Sequence, residues 1–302
     1  MQIDGYTRLA AVVATPIKHS ISPFIHNYAF DKTGVNGVYV AWDIPEEDLA
    51  VTLENVKRYD MFGVNISMPY KQKVMPYMDE LTDSAALIGA VNTVINRDGK
   101  LVGHNTDGIG FFRSLATFAD FDVKGKTMTI LGGGGAATAL IAQAALNGAG
   151  HINIFNQTKF LDATRQKAQE LSDKTGVSIT VYPVEDLKTI QEKVLESQLF
   201  VNATSVGMDG KSMIITEDFE FPEGLLVADT IYQPFETPFL KLARSKGLKA
   251  LNGLGMLLFQ AAEAFEIWTG ETMPTAEIWS ALEEKYNTKS VSYTHLTLPT
   301  TS

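Results

Sequence analysis

Thr127-Met128-Thr129-Ile130-Leu131-Gly132-Gly133-Gly134-Gly135-Ala136-Ala137 is the stretch on which the fold turns. Its first five residues are apolar or β-branched and predict a short buried strand. The alanines beyond the glycines predict a helix that ends near Asn147-Gly148. A tight strand-to-helix turn needs backbone that accepts φ > 0, and close approach to a pyrophosphate leaves no room for side chains. The helix start then offers N–H groups and a positive dipole end to the phosphates. Glycines alone also make a flexible loop; the strand before them and the helix after them favour the dinucleotide turn.

Working outward, Ile152–Phe155, Ser178–Tyr182, Leu199–Thr204 and Leu225–Thr230 read as further strands, with a helix over Asp162–Gly176. Repeated βαβ units at this spacing predict a Rossmann-type domain. The end of its second strand ordinarily selects the cofactor: an acid suits the ribose 2′-OH of NAD, an arginine the 2′-phosphate of NADP. Here it reads Asn156-Gln157-Thr158-Lys159, neither an acid nor an arginine, with Lys159 and Arg165 as the nearby cations. Those residues leave NAD and NADP both open.

Upstream, Leu9–Ala14, Val38–Trp42 and Phe62–Met68 read as strands, separated by helical spacing over Pro23–Lys32 and Pro45–Tyr59. That order predicts a second α/β domain with a mainly parallel sheet. Helices predicted at Met256–Thr269 and Thr275–Tyr286 pack back on it, so the expected organisation is a first domain of 1–106 plus 254–288 and a Rossmann domain of 107–253. Residues 289–302, whose last thirteen carry no Asp, Glu, Lys or Arg, read as a tail outside the fold.

Bulk properties narrow the function. The net charge of −10 over 302 residues argues against nucleic acid, which clustered Lys and Arg bind. Cysteine is absent, which removes disulfides, thiolate metal sites and cysteine nucleophiles. The five histidines form no ligand pattern, so no metal is expected. No apolar run approaches the length of a membrane span or a signal h-region, so the expected location is the cytoplasm.

Several polar clusters interrupt the apolar pattern. In Lys18-His19-Ser20-Ile21-Ser22-Pro23, an extended backbone would aim the Ser20 and Ser22 hydroxyls the same way; helix capping is the plainer role. In NISMPYK (65–71), Asn65 and Ser67 fall at the carboxyl end of a strand, where polar groups cost stability unless bonded. Lys71 follows, and a solvated lysine is its plainer fate. Further clusters are GAVNT (89–93) and NTDG (105–108), the second of which also reads as a turn with a helix cap. In NGLGM (252–256), glycines precede a predicted helix whose first turn carries Gln260, where a surface position is its plainer role.

Taken in order, HSISP (19–23), NISMPYK, GAVNT, NTDG, the glycine turn, NATSVGM (202–208) and NGLGMLLFQAAEAF (252–265) resemble shikimate dehydrogenase and its quinate/shikimate dehydrogenase relatives, from about Gly5 to Tyr286. The resemblance implies reversible reduction of 3-dehydroshikimate to shikimate, in chorismate and aromatic amino-acid biosynthesis. It implies Lys71 and Asp107 as the acid/base pair, and Ser20, Ser22, Ser67, Asn92, Asp107, Tyr232 and Gln260 as substrate ligands. Asp83, Gly132, Gly133, Gly134, Gly135, Ala136, Asn156, Gln157, Thr158, Lys159, Thr204, Thr230 and Gly253 would line the cofactor. Family habit implies NADP; Gln157 stands where the family has arginine, which admits NAD as well. The implied partner is a small molecule, in a monomer or homodimer. The alternatives are a quinate-preferring dehydrogenase and, in another class, a non-catalytic dinucleotide sensor.

Overall fold

The structure, a computed structural model, describes residues 3–286; the expected tail at 289–302 lies outside them. The described chain opens with β1 (Arg8–Ala14), α1 (Ser22–Thr33), β2 (Gly37–Asp43), α2 (Leu49–Arg58) and β3 (Gly63–Ile66). It continues with β4 (Glu80–Leu81), α3 (Asp83–Ile88), β5 (Thr93–Arg97), β6 (Lys100–His104) and α4 (Asp107–Ala119). Next come β7 (Thr127–Leu131), α5 (Gly135–Leu146), β8 (His151–Asn156), α6 (Leu161–Thr175), β9 (Ser178–Pro183), α7 (Leu187–Leu195), β10 (Leu199–Asn202) and β11 (Leu226–Asp229). The last elements are α8 (Pro238–Ser245), β12 (Lys249–Leu251), α9 (Leu254–Thr269) and α10 (Thr275–Tyr286).

The chain forms two compact units, one of Met1–Gly110 with Leu257–Asn287 and one around Phe111–Met256. The first unit holds a six-stranded sheet in the order β2-β1-β3-β5-β6-β4. β1 pairs in parallel with β2 and β3, while β5 runs antiparallel to both β3 and β6. A strand flanked on both sides and covered on both faces has no polar side to show, which is why Ala10–Ala14 is uniformly apolar and buried. Leu49, Leu53 and Val56 of α2 pack on Val64, Ile66 and Val94 in one core. On α9, the Trp268 indole N–H donates to the Val94 carbonyl at 3.2 Å, and a Cβ at Gly63 would meet that nitrogen at 2.6 Å. That glycine clears the seat for the ring.

The second unit holds a parallel sheet in the order β12-β11-β10-β7-β8-β9. Numbered within the unit this is the doubly wound order 3-2-1-4-5-6 read from the other side, so the crossover direction reverses between β7 and β10. Ligands of such sheets bind outside the carboxyl ends of the strands at that switch point. α5 is alanine-rich because it is buried almost all round: Ala137, Ala139, Ala142, Ala144 and Ala145 let it lie close to its neighbours.

Several element boundaries differ from those expected. The strand expected over Phe62–Met68 ends at Ile66, because the Tyr70 N–H donates to the Ser67 carbonyl and turns the chain. The helix expected at Pro45–Tyr59 opens as a 3-10 turn over Glu46–Asp48 and becomes α-helical only at Leu49. α9 starts at Leu254, not Met256, because the Asn252 side chain accepts from the Leu254 N–H at 3.1 Å. Gln260 therefore lies in the second turn.

Candidate active site

In the first unit, strand direction gathers the polar clusters. β1 and β3 end at the same edge of the sheet, and antiparallel β5 begins there, since Asn65 pairs with Thr93 and Thr93 with His104. Residues after β1 (Ser20, Ser22), after β3 (Ser67, Lys71), before β5 (Asn92) and after β6 (Asp107) thus share one edge.

The Lys71 ammonium donates to the Asp107 carboxylate at 2.5 Å across 36 positions of sequence. The pair is largely enclosed, with side-chain exposures of 17% and 8%. Lys71 is held at both ends: the Val91 N–H donates to its carbonyl at 2.8 Å, and the buried Tyr70 beside it donates its hydroxyl to the Ile44 carbonyl at 2.7 Å. Asp107 opens α4, where the Asn105 side chain accepts from its N–H at 3.1 Å. Asn105 thus satisfies the backbone at the helix start and leaves the Asp107 carboxylate to Lys71 and Asn92.

Behind the pair runs a buried network. Asn92 donates its amide to Asp107 at 2.8 Å, and its oxygen accepts from the Thr106 N–H at 2.8 Å and the Thr93 hydroxyl at 2.9 Å. The Asn65 amide donates to the Thr93 hydroxyl at 3.1 Å, and the Tyr39 hydroxyl donates to the Asn65 oxygen at 2.7 Å. Burial pushes the Tyr39 hydroxyl well above its ordinary pKa, so it stays a donor. A satisfied buried network of this kind fixes one geometry, because each broken link leaves a desolvated group without a partner. Tyr39 in turn stacks on His26, with ring centroids 4.1 Å apart and planes 4° from parallel.

The Ser20–Ser22 segment is a turn, not the extended backbone expected: the Ser20 N–H donates to the Ile17 carbonyl, and the Ser20 hydroxyl accepts from the Ser22 N–H at 3.2 Å. Gln260 donates its amide to the Leu257 carbonyl at 2.9 Å. Its helix presses on the first turn of α4, where a Cβ at Gly110 would meet the Gln260 backbone nitrogen at 2.4 Å. Asp83, exposed at the start of α3 after the Thr82 cap, also belongs to this unit.

The remaining expected residues belong to the second unit. Gly132 (φ +112°) ends β7, and a Cβ there would meet the Ala203 carbonyl at 2.9 Å, beside Thr204 and across the switch point. A Cβ at Gly133 would strike the Asn156 amide at 2.2 Å, whereas nothing lies within 4 Å of Gly134 or Gly135. The first two glycines are required by packing, and the next two, with Ala136 following in α5, leave backbone open to a ligand. The Thr204 hydroxyl donates to the Asn202 side chain at 2.7 Å, the Thr230 hydroxyl donates to the Asn202 carbonyl at 3.3 Å, and a Cβ at Gly253 would meet the Thr230 carbonyl at 2.1 Å. Tyr232 follows β11. Asn156 ends β8, followed by Gln157, Thr158 and Lys159. These residues line the carboxyl ends of β7, β8, β10, β11 and β12, and the open backbone at Gly134 and Gly135 fits a pyrophosphate.

Asn65, Thr93, Thr106 and Tyr39, absent from the site residues that the resemblance implies, carry the network. Asn65 had a signal, a polar side chain in a buried strand, but its partners stand 26 and 28 residues away. Among the described residues no group of three or more acidic or histidine side chains could hold a metal, and no helix is long and apolar enough to cross a membrane.

Residues 12–94 match a family model described as the shikimate dehydrogenase substrate binding domain, and residues 253–283 match one described as the shikimate 5′-dehydrogenase C-terminal domain. Over 289 residues the chain is 75% identical to the shikimate dehydrogenase (NADP(+)) of Streptococcus mutans, covering 96% of this chain and all of that one. The enzyme of the same name from Streptococcus suis is 65% identical, with the same coverage. Among solved structures, shikimate 5-dehydrogenase of Listeria monocytogenes, in complex with shikimate and NAD, superposes with a TM-score of 0.88 at 42% identity, covering 93% of this chain and 98% of that one.

Proposed function

The chain belongs to the shikimate dehydrogenase family, and from that premise we propose that it reduces 3-dehydroshikimate reversibly to shikimate with NADP, using Lys71 and Asp107 as its acid/base pair. The observation that carries the reading is the enclosed Lys71–Asp107 contact at 2.5 Å, braced by Asn92.

Reducing a ketone adds hydride to carbon and leaves negative charge growing on oxygen, so a positioned proton donor lowers the barrier. The Lys71 ammonium is that donor, and in the reverse direction its amine takes the hydroxyl proton. Asp107 orients the ammonium, and Asn92 orients Asp107. Ser20, Ser22, Ser67, Asn92, Tyr232 and Gln260 hold the carboxylate and ring hydroxyls of the substrate. NADPH, when bound, would supply the hydride for reduction, and NADP+ would accept it in the reverse direction. Asp83, Gly132 to Ala136, Asn156 to Lys159, Thr204, Thr230 and Gly253 are the residues that would hold the cofactor. The reaction serves chorismate and aromatic amino-acid synthesis in the cytoplasm.

The test follows reduced-nicotinamide absorbance with shikimate and quinate, each with NADP and NAD. Shikimate with NADP should be turned over, and Lys71→Ala should lower kcat by about 10²–10⁴ with a much smaller change in KM. Near wild-type turnover in that variant would remove Lys71 from its role.

A further inference from the structure

We propose that Glu185 is a specificity-determining residue at the adenosine end of the dinucleotide site, competing with a 2′-phosphate for the two donors of Thr158 and so weakening this chain's preference for NADP over NAD. The proposal rests on the dinucleotide reading above.

In a doubly wound domain the residues just past the second strand meet the ribose 2′ position; that strand is β8, ending at Asn156. The Asn156 side chain is already engaged, donating its amide to the Thr164 hydroxyl at 2.9 Å and accepting from the Gln157 N–H at 2.9 Å. Thr158 therefore supplies the hydroxyl and backbone N–H at this tip, and both point at one carboxylate. Its hydroxyl donates to Glu185 Oε2 at 2.9 Å and its N–H to Oε1 at 3.3 Å.

Glu185 comes from the neighbouring strand. β9 ends at Pro183, and the Val184 N–H donates to the Asn156 carbonyl at 2.8 Å, so strand register delivers the next residue to the β8 tip. The local cations are turned to other partners: Lys159 lies 4.8 Å over the Phe160 ring, and Arg165 pairs with Asp162 at 3.2 Å.

An acid at this point is the usual partner of a free ribose 2′-OH, which donates to it; a phosphate must displace it and then stand beside a like charge. Glu185 is exposed and can swing into water, so it imposes a penalty, not exclusion. For a phosphate of about two charges some 5 Å from a carboxylate that turns into water, the dielectric is close to that of bulk water and the penalty is on the order of tenfold in affinity.

The matched probes are 2′,5′-ADP and 5′-AMP, which differ only in the 2′-phosphate, titrated calorimetrically into the full chain. Glu185→Gln should tighten 2′,5′-ADP by about tenfold while 5′-AMP shifts less than about twofold, and Glu185→Lys should tighten it further. Raising the salt concentration should shrink the difference between wild type and Glu185→Gln. An unchanged ratio of the two affinities in both variants, with their melting temperatures intact, overturns the role of Glu185 alone. If neither probe binds wild type or variants, the dinucleotide reading fails and this inference falls with it.

Discussion

Replacing His26 with phenylalanine should make the first unit markedly less sensitive to mild acid. His26 is fully buried in α1, and neither ring nitrogen has a hydrogen-bond partner. Its surroundings are the stacked Tyr39 ring and the tilted rings of Phe265 and Trp268. A charge there would lose its water and gain nothing, so burial pulls the imidazole from 6.5 down to about 3. The folded chain therefore refuses a proton that the unfolded chain accepts. Above the unfolded value of 6.5 this costs nothing; as pH falls toward 3, stability drops by about 1.4 kcal/mol per pH unit. Between about pH 7.5 and pH 5 the loss is roughly 2 kcal/mol, a large share of a typical folding free energy. Trp42, Trp268 and Trp279 are the three tryptophans and all lie in the first unit, so urea unfolding followed by tryptophan fluorescence reports on it selectively. His26→Phe, which keeps a ring against Tyr39, should lose about 2 kcal/mol less than wild type over that interval. Because Tyr39 feeds the hydrogen bonds leading to Asp107, the variant should also keep its activity to lower pH. Equal losses in both proteins would mean that His26 finds a proton acceptor or water when folded, and the linkage would be refuted.

Asp229 should give a pH dependence of opposite sign in the second unit. Burial raises its carboxyl to about 6 despite hydrogen bonds from the Ile231 N–H, the Thr237 hydroxyl and the Asn202 amide. The folded state holds the proton more tightly, so this contribution is present below about pH 4 and is lost as pH rises through about 6. Far-UV circular dichroism melts should show Asp229→Asn losing about 1 kcal/mol less than wild type between about pH 5 and 7.5; parallel slopes would contradict the shift. Gly133→Ala should displace the Asn156 amide, which a new Cβ would meet at 2.2 Å, and weaken 5′-AMP binding by about tenfold or more, measured by calorimetry. Unchanged affinity there would show that the β8 tip can yield without consequence.

Local signals in the sequence were readable, and pairings between distant segments were not. The glycine turn announced itself because strand, turn and helix are contiguous from Thr127 to Leu146, and each has its own composition. The residues of NTDG by themselves favour a turn with a helix cap, and only the resemblance gives Asp107 an acid/base role; the structure has Asp107 at the start of α4, beside Asn105 and Lys71 at once. The β5–β6 hairpin had a usable signal, Asp98-Gly99 between two strand-like runs, with both residues at positive φ. The reversal at that turn sets His104 opposite Thr93, while the pairing of β5 with β3 sets Thr93 opposite Asn65; together they join the Tyr39 hydroxyl to Asp107 through Asn65, Thr93 and Asn92. Glu185 had no local signal at all: it is an exposed acid after a strand, and its meaning comes from the register of β9 on β8. Specificity in this chain is thus written where two strands meet, and a scan of the β8 loop for an acid or an arginine passes over it.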